Sequence, residues 1–179
     1  MEIHTIGHST RPLDEFVSLL ERHAIGAIAD VRRFPASRRH PHFARDALAG
    51  ALDRAGIAYA WFEALGGRRP ARPDSPHVAL RSASFRGYAD HMESPEFQAA
   101  LDALLAFARA RRTALLCAEA VPWRCHRQLL ADRLLAAGAT VHHVLSPQAP
   151  RAHRLSPMAR LEGERVVYDR GGQLVLDTP

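Results

Sequence analysis

The sequence predicts an α/β fold: a mostly parallel sheet flanked by helices, with a C-terminal β-hairpin appendage. Three observations predict it. Short apolar runs alternate with segments of helical spacing from the start of the chain to about residue 145. The stretch "TALLCAE" (113–119) is continuously apolar up to its last residue, as a strand covered on both faces should be. After Pro147 the alternation stops, and "ERVVYDRGGQLVL" (164–176) reads as a hairpin turning at 169–172. Residues 1–145 are therefore expected to form one α/β domain, and 146–179 an extension to it.

The elements follow in order. "EIHTIG" (2–7) is the first strand. In "RPLDEFVSLLERHAIG" (11–26), Pro12 stands near the start, and Asp14 and Glu15 fill the first turn. Phe16, Leu19, Leu20 and His23 follow at helical spacing. "AIADVRR" (27–33) is the second strand. "RDALAGALDRAG" (45–56) is a helix with Leu48, Leu52 and Ala55 on one face, stopped by Gly56. "IAYAWF" (57–62) is the third strand, followed by a loop rich in Gly, Pro and Arg. "SPEFQAALDALLAFARA" (94–110) is a helix capped by Ser94, with Pro95 at its first position and a stripe of Phe97, Leu101, Leu104, Leu105 and Ala108. "CHRQLLADRLLAAG" (125–138) is a helix ending at Gly138, and "TVHHVL" (140–145) is the fifth strand.

The totals narrow the class. A chain of 179 residues can bury one sizeable core. Its apolar runs are too short and too interrupted by charge to span a membrane. "MEIHTIGHST" lacks the basic and apolar regions of a signal peptide, and two cysteines make no disulfide framework. The expected compartment is the cytoplasm. All 24 basic residues are arginines, the net charge is +5 and the pI about 10.2. Arginine forks bind phosphate and carboxylate bidentately and stay charged, so the expected partners are anionic small molecules or nucleic acid.

In open α/β sheets, ligands bind beyond the carboxyl ends of the strands. The residues after each strand are therefore the candidates. His8 and Ser9 follow the first; Arg32, Arg33, Arg38 and the run "RRFPASRRHPHF" (32–43) follow the second. Gly66, Gly67 and Arg68 follow the third; Glu119, Arg124, Cys125, His126 and Arg127 follow the fourth. Taken singly, each has an ordinary reading as a solvated loop residue; four such loops on one sheet edge point to a site. Phe34 and Phe43, interleaved with cations, suit a base or a phosphate backbone.

Cys117 reads as a small buried hydrophobe at a strand end. Cys125 falls in the first turn of a helix, where unpaired N–H groups, the dipole, Arg124 and Arg127 would lower its pKa. A reactive thiolate and a packed turn both remain open there. Neighbours at i and i+1 on a helix point about 100° apart, which removes His126 as its base and leaves Glu119 or His8. Arg124, Arg127 and the helix N-terminus can alternatively hold an anion. The cysteine spacing matches no structural zinc pattern, so no metal ligand is assigned, and no motif names a cofactor.

"TIGHST" (5–10), "DVRRFPASRR" (30–39), "LGGRR" (65–69), "SFRGYADHM" (84–92) and "CAEAVPWRCHR" (117–127) together resemble the domain-of-unknown-function family 488. The resemblance implies a Rossmann-like α/β fold and no particular substrate. It adds "SFRGYADHM", with Arg86, to the candidate site.

Two functions compete. The first is an enzyme acting on a phosphorylated or nucleotide-like substrate. Arg32, Arg38, Arg124 and Arg127 would hold the anion, Cys125 would be the nucleophile, and Glu119 or His8 the base. On that reading Arg32→Ala and Cys125→Ser lose turnover and keep the fold. The second is a non-catalytic nucleic-acid-binding module whose affinity falls steeply with salt. A cysteine-based redox sensor is a third.

Overall fold

The structure, a computed structural model, describes residues 1–36 and 39–171. Its strands are β1 (Glu2–Gly7), β2 (Ala27–Asp30), β3 (Ala58–Trp61), β4 (Thr113–Cys117), β5 (Thr140–Val144) and the short β6 (Arg151–Ala152). They form one sheet in the order β3-β2-β4-β1-β5-β6, parallel except for the antiparallel edge strand β6. The α/β class and the parallel sheet are as the alternation predicts.

The helices are α1 (Leu13–Arg22), α2 (Arg45–Arg54), α3 (Ala83–His91), α4 (Pro95–Ala108) and α5 (Arg127–Ala136). One face of the sheet packs against α1 and α2, through Phe16, Leu20, Leu48 and Leu52 on Ile6, Ile28 and Leu116. The other packs against α3, α4 and α5, through Tyr88, Leu101, Leu104 and Leu130 on Ile3, Ala29 and Leu115. Local chemistry sets several boundaries. The Ser94 hydroxyl accepts the Phe97 N–H at 3.2 Å, and Pro95 follows in the first turn. Gly56, left-handed at φ +71°, ends the segment after α2.

The C-terminal hairpin is present, but its register differs from the expectation. It pairs β7 (Ala159–Glu162) with β8 (Arg165–Tyr168) and turns at Gly163 and Glu164, with Gly163 at φ +62°. Residues 169–171 of the expected turn are not its turn. The tight turn needs one left-handed residue, and Gly163 supplies it. Residues 172–176 of the expected second strand lie outside the described residues. Met158, Ala159, Val166 and Tyr168 belong to the same apolar cluster as α5. Among the described residues, no helix is long and apolar enough to cross a membrane.

Beneath β5 the sequence hides a polar chain. The Thr5 hydroxyl lies 2.8 Å from His143 Nδ1, His143 Nε2 is 2.9 Å from His153 Nδ1, and His153 Nε2 is 2.9 Å from Asp132 Oδ1. Burial holds His143 down at about 3, with His153 and Arg127 adding to it; burial likewise holds His4 at about 4. Both rings stay neutral in the fold, whereas in the unfolded chain they bind a proton near 6.5. Their contribution to stability is therefore complete above pH 6.5 and is lost as pH falls toward 4 and then 3. Thermal melts should be level from pH 8 to 7 and drop steadily between pH 6.5 and 4.5, above the range where carboxylates protonate. A melting temperature that is flat or rising across that window contradicts the assignment.

Candidate functional site

The strand order decides where a cleft can form. From β2 the chain runs on to β3 at one edge; from β4 it runs through α5 to β5 on the other side. Neighbouring β2 and β4 thus send their loops apart, and the gap between them is the switch point of an open α/β sheet. A cleft of about 370 Å³ opens there. Arg32, Arg33 and Phe34 line it from the loop after β2, and Gly67 and Arg68 from the loop after β3. Cys117, Glu119, Arg124, Cys125 and His126 line it from β4 onward, and Phe85 and Tyr88 from α3. A second lobe of about 440 Å³, reached by His8, Ser9 and His40, shares Arg32, Phe34, Glu119 and Arg124 with the first.

Two motif glycines let these loops touch. A Cβ on Gly7 would sit 1.8 Å from the Glu119 carbonyl oxygen, and one on Gly66 would sit 2.6 Å from the Arg33 backbone. No side chain fits at either contact. The Gly7 approach presses β1 against the start of the β4 loop, where the His8 and Ser9 N–H groups donate to the Cys117 and Ala118 carbonyls.

One wall is built on Asp30. This fully buried carboxylate pairs with Arg32 through Nε at 2.9 Å and Nη2 at 2.5 Å, and it accepts the Tyr59 hydroxyl at 2.7 Å. Arg32 Nη1 donates to the Phe43 carbonyl at 2.7 Å and lies 3.5 Å from His8 Nε2. His8 stacks on Phe43 at 4.2 Å, and burial holds it neutral, near 4. Its Nδ1 lies 2.9 Å from the Ser9 carbonyl, so Nδ1 carries the proton and Nε2 faces Arg32. Arg32 thus braces the cleft, with its charge matched by Asp30.

The floor is a cluster of Cys117, Cys125 and His126, all buried. Their two sulfurs and a ring nitrogen lie within 4.8 Å of one another. Cys117 reaches it from the end of β4, beside Gly7 in the register. Cys125 is extended, at φ −145° and ψ 169°, just before α5. Its Sγ accepts the Arg127 N–H at 3.4 Å and Nε–H at 3.1 Å, in the manner of an N-cap. The angular rule for helical neighbours does not apply to an extended residue, so the objection to His126 as a partner of Cys125 does not hold. His126 Nε2 lies 2.9 Å from the Val31 carbonyl and donates to it, which leaves Nδ1 with a lone pair.

The expected lowering of the Cys125 thiol is corrected. Burial pushes Cys125 up, and the neighbouring Cys117 sulfur adds to this, against Arg127. The thiol held low is Cys117, chiefly by the bond from Cys125 and then by His126 and Arg127, against its burial. The two sulfurs titrate as a pair, with Cys117 pushed down and Cys125 pushed up. Arg127 lies fully buried beneath them. Its Nη2 donates to the Glu119 carbonyl, and its Nη1 has no partner among the described residues.

The cleft thus gathers His8, Ser9, Arg32, Arg33, Arg68, Glu119, Arg124, Cys125 and His126 from four loops. Arg86 does not join them: its Nη1 donates to the Leu80 carbonyl at 3.0 Å, and it lines neither lobe. Arg127 sits below the floor and lines neither lobe. Arg38 lies outside the described residues. The sequence reading missed Cys117 as a member of the cluster. The available signal was that it ends β4, the strand whose following loop carries Cys125.

Fold and cleft define an open α/β protein with a cysteine- and arginine-lined cleft at the carboxyl ends of its strands. The chain belongs to the family described as "Domain of unknown function DUF488", which matches residues 12–134. The motif "TIGHST" precedes that segment; the other four lie inside it. No curated protein and no solved structure matches the chain.

Proposed function

We propose that the protein is an enzyme acting on a phosphorylated or nucleotide-like substrate held in this cleft. The convergence of unpaired arginines on one concave surface carries the reading. Elsewhere some arginines meet carboxylates, Arg72 and Arg165 on Glu93, Arg112 on Glu2 and Arg160 on Asp169, and others, such as Arg81 and Arg109, are exposed outside this cleft. In the cleft, Arg68 and Arg124 are exposed and have no polar partner for their side chains among the described residues. Among the described residues, the Arg33 side chain donates to the Arg68 carbonyl, at 2.6 Å. Unpaired guanidinium groups on a concave surface suit a planar or tetrahedral anion.

Arg33, Arg68 and Arg124 hold the anion in this reading. Phe34, 59% exposed with the Arg33 guanidinium 5.3 Å from its ring, offers a face for a base. The reacting group comes from the floor, where Cys125 lies with Cys117 and His126. Glu119, exposed at the rim of both lobes, moves the proton in this reading. His8 positions Arg32 from the second lobe.

Arg124→Gln should weaken binding of AMP or inorganic phosphate about tenfold or more, since a hydrogen bond to a charged group contributes about 1.5–3 kcal/mol. Its melting temperature should stay unchanged, because the exposed Arg124 side chain has no hydrogen-bond or ion-pair partner among the described residues. Titration calorimetry on the two proteins checks this. Equal affinities for both ligands overturn the reading. Tight binding of oligonucleotides alone, with a steep salt slope, replaces it with a nucleic-acid module.

A further inference from the structure

The floor of the cleft has a property that anion binding does not require. Two thiol sulfurs and an imidazole nitrogen converge within 4.8 Å, in a chain that has only two cysteines. We propose that Cys117, Cys125 and His126 are the three ligands of a soft divalent metal ion, with zinc as the type of occupant. Tetrahedral zinc, with bonds of about 2.3 Å to sulfur and about 2.0 Å to nitrogen, sets its ligands roughly 3.5–3.8 Å apart. Small side-chain rotations bring the observed cluster to that spacing.

Three further features fit. A metal-bound histidine donates its other ring N–H to a carbonyl or carboxylate, and His126 Nε2 already does so to Val31. The three residues sit on different local backbones: the end of β4, an extended residue, and the start of α5. Their relative positions are therefore set by the packed fold and by the Gly7 contact, not by a loose loop. All three also line the cleft, so the fourth position faces open space. Three protein ligands with an open fourth position are the pattern of a catalytic site, whereas a structural zinc site is closed by four.

The charges fit as well. A divalent ion and two thiolates cancel, and the buried Arg127 beside Cys125 leaves the site one positive charge in excess. That excess lies beneath the cleft that Arg33, Arg68 and Arg124 line, and it favours an anion at the open position. A metal there polarises a bound oxygen or supplies a hydroxide at neutral pH. The spacing Cys-x7-Cys-His matches no familiar zinc signature, because the site is assembled by the sheet edge and not by a single knuckle.

This inference stands apart from the substrate reading, and the probe is the metal alone. The full chain, reduced and freed of metal, is titrated with cobalt(II), and the thiolate-to-cobalt charge-transfer absorption is recorded. The expected result is saturation at one cobalt per chain, displacement by zinc, and protection of both cysteines from alkylation. Cys125→Ser and His126→Gln should each weaken cobalt binding at least tenfold, with melts and circular dichroism confirming that each variant is folded. Arg124→Gln should leave the absorption intact, which keeps metal binding distinct from anion binding. Absence of the absorption in the folded wild-type chain overturns the proposal. So does an absorption that survives in folded Cys125→Ser at unchanged affinity.

Discussion

Replacing Asp132 by alanine should lower the melting temperature by on the order of 10 °C. Asp132 is fully buried in α5 and lines neither lobe of the cleft. One carboxylate oxygen accepts from His153 Nε2 at 2.9 Å and from the Ser156 N–H at 3.0 Å; the other accepts from the Tyr168 hydroxyl at 2.9 Å. Through His153 and His143 the chain reaches Thr5 on β1. One side chain therefore ties the C-terminal hairpin and the 153–156 segment to the central strands. Its removal leaves three buried donors unmatched, at a cost of about 3–5 kcal/mol, the scale for breaking a buried polar pair. For a chain of this size each kcal/mol moves the midpoint by about 2–4 °C. Tyr168→Phe removes a single bond and should cost only about 1 kcal/mol. Calorimetric melts of both variants check this. A shift of less than about 2 °C for the alanine variant would show that the network adds little.

Arg32→Ala should unfold the protein more readily and not merely silence the site. From the sequence alone, Arg32 is an anion-holding residue whose loss spares the fold. In the structure it is 6% exposed and is held at both ends, by Asp30 and by the Phe43 carbonyl. Without it, Asp30 is a buried carboxylate whose remaining side-chain partner is the Tyr59 hydroxyl. The expected cost is about 3–5 kcal/mol, read as a lower denaturant midpoint. The double variant Asp30→Asn with Arg32→Met removes both charges and should recover much of that loss. If Arg32→Ala keeps wild-type stability while phosphate binding disappears, Arg32 is a ligand-holding residue after all.

Much of this architecture was legible in the residues. The apolar run of β4, the Ser94 cap and the stop at Gly56 each have a local physical cause, and each is where the sequence predicts it. The convergence of four loops was legible as well, because a parallel sheet leaves its carboxyl ends on one edge. The pairing of Asp30 with Arg32 was readable in principle, since residues two apart in an extended chain point the same way. Three features were not legible. The place of β1 between β4 and β5 depends on crossovers that alternation does not encode. The Asp132 network joins residues as far apart as Thr5 and His143, 138 positions along the chain, with no repeating spacing. The helical rule misplaced His126 because Cys125 is extended, a fact set by the turn at Pro122–Arg124 and invisible in spacing alone.

The central claim is that the cleft between β2 and β4 holds an anion. The most direct test is a titration of the isotope-labelled chain with AMP, followed by backbone amide NMR. The account predicts saturable shifts confined to the loops after β2, β3 and β4, centred on Arg33, Arg68, Glu119 and Arg124, and much weakened in Arg124→Gln. Shifts scattered over the basic surface, centred instead on Arg151 and Arg154, or absent at low ionic strength would contradict it.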